Sequence, residues 1–561
     1  MAHTLLDMFY HWEREFPDKV WLNQPLGENQ WKSLTWKEAG IQARKIALAL
    51  KELGLSDNAK VAILSKNCDA WVISDIAIQM AGYISVPIFG TMAKDSIDHV
   101  INHAEVECIL VGQADNLDVA IASVPEKMPA LAFDVEQYHK FNNGSRQCLL
   151  FNSIIEENKY IEESREVKPD DVITIIYTSG TTGLPKGVVH TQSSFLSIGR
   201  SVVEGCNTNE NTVLFSYLPL AHIAERGVVL IHSLTCGGEV YFNQNLETFL
   251  DDLKYARPTW FLAVPRIWTK LQLGIISKIG QDKLNSLMAD PASAEQTRIM
   301  IQQGFGLDRA EYLATGSAPL STAIHEWFEN MGMPLNDMYG MTESIPATLN
   351  NKANRKVGTL GRAAPGAELK ISEEGEILFK TQGCMVGYYK DPEKTSEALI
   401  DGWMHSGDKG EIDSEGFLKL TGRLKELYKT SKGKYVAPAP IEGKVARNSN
   451  FEMLCLMGAG MPSSVMVAVL SETGMQADQD QLRDELPEFF HKINEQLDAH
   501  ERMSHVLIVK DYWTIENGLL THTMKLKRNE LETKYLPVIE KIIGNDSFVV
   551  FEDEVELLAE C

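Results

Sequence analysis

Positive charge is scarce in this 561-residue chain: 53 lysines and arginines face 77 aspartates and glutamates, for a formal net charge of −24. Nucleic acid, which demands a basic footprint, is therefore not an expected partner. A strong electrostatic hold on an anionic bilayer is equally disfavoured. Long apolar runs are missing too. The most weakly charged stretch, Trp71 to Ala93, contains Asp75, Gly82 and Pro87 and reads as a helix followed by a buried strand, not a transmembrane segment. The opening "MAHTLLDMFYHWEREFPDKV" carries charges where a secretory leader would need an apolar centre. The eight cysteines form no CxxC pair and no zinc-like spacing, which predicts reduced thiols in a cytoplasmic protein. No fixed-period repeat or low-complexity tract interrupts the chain.

What is present is enough hydrophobic material, 44% of residues, to fill three or four folding units at about 150 residues each. Thr35-Trp36-Lys37-Glu38 has the spacing of a capping box opening a helix, and Gly54 closes it. Apolar runs such as "VAILS", "YISVPIF", "CILVG", "VITIIY" and "PTWFLAVP" then alternate with helix-length segments. That alternation predicts layered α/β sheets with mostly parallel strands. After about Gly358 the texture changes: "AELKISEEGEILFK" and "GEIDSEGFLKLTGR" are short alternating strands with tight turns, predicting a small β-barrel-like subdomain. From Arg423 the alternation resumes on a smaller scale. The expected division is a large N-terminal α/β domain over residues 1–422 and a small, mobile α+β domain over 423–561.

"IIYTSGTTGLPKGVVH", Ile175 to His190, follows a strand-like run and precedes a segment that can be a helix. Glycines permit close backbone approach, and hydroxyls with backbone N–H groups can ring phosphate oxygens. The Walker pattern fails: Pro185 stands where its second glycine belongs, and Gly187 follows Lys186. The unbroken order Thr178, Ser179, Gly180, Thr181, Thr182, Gly183, Leu184, Pro185, Lys186 instead resembles the phosphate loop of the adenylate-forming (AMP-binding) superfamily, which includes acyl-CoA synthetases, luciferases and peptide-synthetase adenylation domains.

Further motifs follow in that superfamily's order. "YGMTES" from Tyr339 resembles its second core motif. The resemblance implies that Tyr339 stacks on adenine beside Gly340, that Thr342 meets the α-phosphate and that Glu343 holds Mg²⁺, a hard cation suited to a carboxylate. Gly316, Ser317 and Ala318 resemble the segment lying along adenine. In "GWMHSGDKGEIDSEGFLKLTGR" a hairpin turn at Asp413–Gly416 places Asp408 opposite Thr421, with Arg423 just beyond. Carboxylate and guanidinium thus meet at one end, and relatives use such a pair to hold the ribose hydroxyls. "LLTHTMKLKR" carries two lysines on one strand face, Lys525 and Lys527, which spacing does not separate. The superfamily pattern assigns the adenylation lysine to Lys525, and His522 stands where relatives carry proline.

The resemblance spans about Leu5 to Ile542. It is nearest to long-chain fatty acyl-CoA synthetases, including the bubblegum-like branch. It implies activation of a fatty acid by ATP to acyl-AMP with release of pyrophosphate, then transfer to coenzyme A. In relatives the C-terminal domain rotates between the steps, which puts the hinge at Lys425 and brings Lys429 and Gly433 to the thiol approach. His222, in "LPLAHIAER", falls where relatives border the acyl pocket. A fatty acyl-AMP ligase or acyl-carrier-protein loader, which makes the same acyl-AMP but passes the acyl group to a protein thiol, and a ligase for a medium-chain or other carboxylic acid, are the alternative readings. Small-molecule substrates are the implied partners; oligomerisation and a peripheral membrane contact stay open.

Overall fold

The computed structural model describes every residue except 1–2, 29, 116, 143, 163, 179–183, 425, 516, 522–524, 544–546 and 559–561. The first helix predicted from capping, α1 (Trp36–Glu52), begins as expected: Thr35 Oγ1 accepts from the Glu38 N–H at 3.2 Å, and Glu38 Oε2 accepts from the Thr35 N–H at 2.8 Å. Helix α2 (Asp69–Ala81) is buried along its whole length. The strand Ile84–Ile88 follows directly, so the weakly charged stretch from Trp71 is core.

The N-terminal region folds into two large sheets. The first contains β1 (Lys60–Leu64), β2 (Ile84–Ile88), β3 (Val106–Val111), β4 (Ala130–Ala132), β5 (Cys148–Leu150), β6 (Val172–Thr178) and β7 (Lys186–Thr191). Their spatial order is β7-β6-β2-β1-β3-β4-β5, with the short strand Gly387–Tyr388 added beyond β7. All neighbours are parallel except at the β6–β7 hairpin and the added strand. Parallel strands covered on both faces must be apolar throughout, which is why "VAIL" and "VITIIY" are continuous runs.

The second sheet holds β8 (Val213–Ser216), β9 (Glu239–Phe242), β10 (Trp260–Ala263), β11 (Tyr312–Thr315), β12 (Leu335–Met341) and β13 (Ser344–Leu349). Its order is β13-β12-β11-β10-β8-β9, continued on one side by the hairpin Val20–Gly27/Gln30–Thr35 and on the other by Arg362–Ala363. A five-stranded antiparallel sheet follows, built on β14 (Glu368–Ile371), β15 (Glu376–Lys380), β16 (Trp403–Ile412) and β17 (Leu418–Arg423), with Leu399–Ile400 pairing on β16. The C-terminal region forms its own four-stranded sheet of β18 (Phe451–Met457), β19 (Ser464–Leu470), β20 (Met503–Val509) and β21 (Val549–Phe551), with its own buried apolar clusters. This is the α/β architecture with an antiparallel subdomain and a small α+β C-terminal unit that the sequence predicts. Among the described residues, no helix is long and apolar enough to cross a membrane.

One local expectation needs correcting. The hydroxyl-glycine loop does not run straight from strand to helix, because "KGVVHT" first returns as β7, with Lys186 opposite Thr178. The alternation of small and β-branched residues favours a strand. Gly187 lets it pack closely, since a Cβ there would lie 2.7 Å from Ile175 Cγ2.

Candidate active site

Strands β11 and β12 are parallel neighbours, with Thr315 opposite Asp337, so the segments leaving their carboxyl ends lie side by side where open α/β sheets bind ligands. Gly316 leaves β11 against the backbone of β12: a Cβ on it would sit 3.0 Å from the Met338 carbonyl oxygen. Ser317 follows at φ +67°. On β12, the pair Met341–Ser344 closes a two-residue turn onto β13, and the turn residues are Thr342 and Glu343. Gly340 is needed there, because a side chain would meet Ile345 Cγ1 at 2.8 Å.

Two residues the sequence reading passed over hold this turn. His190 Nε2 donates to the Thr342 carbonyl at 2.8 Å. The Tyr388 hydroxyl donates to Glu343 Oε1 at 2.7 Å, and burial together with that carboxylate pushes the phenol's pKa up. The Lys186 ammonium lies over the Tyr388 ring, 4.7 Å from its centroid. Lys186 and Glu343 therefore flank one tyrosine. Ser179, Gly180, Thr181, Thr182 and Gly183 lie outside the described residues, as do Lys425 and His522.

The hairpin of β16 and β17 brings Asp408 and Arg423 together more closely than predicted. Ile412 pairs with Leu418, one residue beyond the register drawn from a turn centred at 413–416. An irregularity between Lys409 and Gly410 adds a second step, so Asp408 lies directly opposite Arg423 and not Thr421. A bulge is invisible to strand-by-strand counting. Arg423 Nε donates to Asp408 Oδ1 at 2.9 Å, and the Tyr339 hydroxyl donates to Oδ2 at 2.7 Å. Burial, then the Asp408 charge, hold the Tyr339 pKa well above that of a free phenol. Asp408 keeps acceptor capacity beyond these two bonds, since a carboxylate offers about four lone-pair sites.

His222 caps the three-residue helical turn Ile223–Glu225, its Nδ1 accepting from the Ala224 N–H at 3.2 Å. That bond requires a bare Nδ1, and burial pushes the imidazole pKa down to about 3, so the ring is neutral. The Lys525 charge also lowers that pKa. This lysine belongs to the C-terminal unit and is tied to Thr521: the Thr521 N–H donates to the Lys525 carbonyl at 2.8 Å, and the Lys525 N–H to Thr521 Oγ1 at 3.1 Å. Its residue surface is exposed, yet protein groups surround it closely enough to desolvate the ammonium, within electrostatic reach of Arg423, Asp408, Glu343 and Glu426. Desolvation, then Arg423, lower its pKa. Lys527, left level with it by spacing, instead precedes the helix Arg528–Ile542 as its cap.

Lys429 and Gly433 are placed elsewhere. Both are exposed on a hairpin of Tyr428–Lys429 against Tyr435–Val436, with the Lys429 ammonium 5.7 Å from the Tyr435 ring centroid and Gly433 at φ +79°. A chain of ion pairs runs from Arg423, at the end of β17, into the C-terminal unit: Arg423 to Glu426 at 3.5 Å, Glu426 to Arg528 at 3.3 Å, and Arg528 to Glu442 at 2.7 Å. Across the cleft, Arg266 donates to Glu452 Oε1 at 2.5 Å and to the Tyr512 oxygen at 2.7 Å. Among the described residues, no cluster of three or more His, Cys, Asp or Glu side chains could hold a metal by itself. Glu343 offers one hard carboxylate, which fits Mg²⁺ bound chiefly through substrate phosphates and water.

Cations and a carboxylate–guanidinium pair meeting across a cleft between two units suit an enzyme acting on a phosphorylated, ribose-bearing substrate. Comparison with known proteins takes this further: the chain belongs to the AMP-binding enzyme family, whose model matches residues 9–389, and residues 426–546 match the AMP-binding enzyme C-terminal domain. It is 28% identical to fatty acyl-CoA synthetase A of Dictyostelium discoideum over 92% of this chain and 86% of the relative. It is 27% identical to the long-chain-fatty-acid–CoA ligase ACSBG2 of Xenopus laevis over 96% and 79% respectively. Among solved structures, the adenylation domain of carboxylic acid reductase from Segniliparus rugosus, in complex with AMP and a co-purified carboxylic acid, has a similar fold. Its TM-score is 0.81 at 21% identity, covering 96% of this chain and 94% of that one.

Proposed function

We propose that this protein is a long-chain fatty acid–CoA ligase of the AMP-forming type, using ATP, Mg²⁺ and coenzyme A. One observation carries the reading: the C-terminal unit delivers Lys525 into the cleft where Glu343, Asp408, Arg423 and His222 converge. The relatives named as fatty acyl-CoA ligases supply the substrate class.

A carboxylate is a poor acyl donor because oxide is a poor leaving group. In the first step its oxygen bonds to the α-phosphorus of ATP and the bond to the β-phosphate oxygen breaks, releasing pyrophosphate. Two anions must be brought together, so the work assigned to Lys186 and Lys525 is charge stabilisation and positioning. Tyr339, Gly340 and the Gly316–Ala318 segment take the adenine, Asp408 and Arg423 the ribose, and Thr342 the α-phosphate. Mg²⁺ on Glu343 would neutralise charge on the phosphates, and Tyr388 orients that carboxylate. Residues 178–183 receive the outer phosphates. In the second step the thiol, losing its proton, bonds to the acyl carbon and AMP departs.

Lys525 occupies one approach to that carbon, so the second step asks for another placement of the C-terminal unit. Residues 1–422 and 423–561 are the two bodies in this reading, with Lys425 as the hinge; the two family matches fall on either side of it. Rotation brings Lys429 and Gly433, now outside the cluster, towards the thiol. The seven cysteines among the described residues are all unbridged, which supports a reducing, cytoplasmic setting. The test is acid-dependent ATP–pyrophosphate exchange over fatty acids of increasing length, repeated with coenzyme A. AMP and a soluble acyl-CoA are expected; ADP with orthophosphate, or no exchange with any fatty acid, would overturn the reading.

A further inference from the structure

Three polar residues without solvent exposure stand in a row across the interior of the first sheet. Ser85 on β2 lies opposite Thr174 on β6, and Thr174 lies opposite His190 on β7. Central strands of this kind are expected to be apolar. Over the row lies the equally buried guanidinium of Arg226. Its Nη1 donates to Thr174 Oγ1 at 2.6 Å, and its Nη2 to Ser85 Oγ at 2.8 Å and to Asp75 Oδ1, on α2, at 2.6 Å. The rings of Trp71 and Phe195 close over it at 5.5 and 5.4 Å.

Each end of this cluster leads to a different part of the adenylation site. Arg226 follows the helical turn capped by His222 and opens a π-helical segment, Arg226–Leu230, a rare conformation that is frequent at functional sites. Thr174 shares a face of β6 with Thr178, where the phosphate loop begins. At the far end, His190 passes its Nε2–H to the carbonyl of Thr342. One guanidinium thus joins the acyl-pocket turn to the phosphate-loop strand, and that strand's neighbour holds the metal-binding turn. Stability is a weak reason to keep such a cluster, because a buried ion pair is often no more stabilising than well-packed apolar residues.

We propose that Arg226 is a positioning residue for adenylation: through Thr174 and the Ser85–Thr174–His190 row it sets β6, with Thr178 at its carboxyl end, in register with the His222 turn and with Thr342 and Glu343. This rests on the ligase reading above. The planar fork is essential, since lysine offers a point charge and cannot reach three acceptors on three elements at once.

The test compares Arg226→Lys, Thr174→Val and Thr174→Ser in the full-length protein. Acid-dependent pyrophosphate exchange, thioester formation from supplied acyl-adenylate, and the affinities for ATP and AMP are measured on the same preparations. Arg226→Lys and Thr174→Val are expected to lower exchange about tenfold or more and to weaken ATP more than AMP, with thioester formation largely spared. Thr174→Ser, which keeps the hydroxyl, restores exchange. A merely structural role would depress both half-reactions and both nucleotides in parallel, and that outcome, or unchanged exchange, overturns the proposal. If Arg226→Lys does not fold, Thr174→Val and Thr174→Ser decide. If the unaltered protein exchanges with no fatty acid, the ligase reading falls, while the ATP-against-AMP comparison still judges Arg226.

Discussion

Lys525 owes its lowered pKa to desolvation in the cleft and to the nearby Arg423 charge. Its cation is the form that draws two anions together, so exchange should decline with rising pH at a lower value than an ordinary lysine allows. A pH profile of exchange checks this, and a profile flat to the ordinary lysine range would contradict it. Lys525→Ala should cut exchange by roughly two to three orders of magnitude, as loss of a transition-state charge contact does, yet leave thioester formation from supplied acyl-adenylate mostly intact. Tyr388→Phe removes the hydroxyl on Glu343 Oε1; the expected effect is a higher Mg²⁺ concentration for half-maximal exchange, read from a magnesium titration. Lys525 and Glu343 could be nominated from sequence because each falls in a short recognisable string. Tyr388 and His190 were not, since each acts on a partner 45 and 152 positions away and has no local signature.

At the scale of elements, the two-residue turn between β12 and β13 is the most constrained piece of the site. Gly340→Ala should destabilise the fold by about 1–3 kcal/mol, the usual cost of forcing an atom into a packed interior, because Ile345 contributes both a side chain and its Cα within 3.1 Å. Denaturant titration measures the loss. Capping, turn residues and β-branched runs made most elements readable: α1 begins at its capping box, and β1, β2, β6 and β10 fall on the apolar runs. Register was less legible. The irregularity in β16 that sets Asp408 against Arg423 depends on how the hairpin twists against its neighbours, not on residue type alone.

Taken whole, the molecule carries buried histidines that make it acid-sensitive. Burial pushes His190 down to about 4 and His232 to about 3, from an ordinary 6.5. The unfolded chain therefore binds more protons, and stability, complete above pH 6.5, is lost as pH falls towards those folded-state values. For His190 alone this is on the order of 3 kcal/mol, and urea titrations between pH 7.5 and 5 should show the midpoint falling. Joining the two units should separate the half-reactions: Arg266→Cys with Glu452→Cys, bridged by a short bifunctional maleimide, is expected to keep exchange and block thioester formation. Equal loss of both would count against the hinge. Sequence alone determined the layers and the likeness to AMP-binding enzymes, and it nominated residues for phosphate, ribose and metal, because backbone propensity and functional-group chemistry are local properties. Only the tertiary structure decided that Lys525 comes within reach of Arg423, Asp408 and Glu343, that Tyr388 braces Glu343, and that Arg226 ties three elements together. Those facts depend on distance and burial, and both arise only when segments far apart in the chain exclude water from one another.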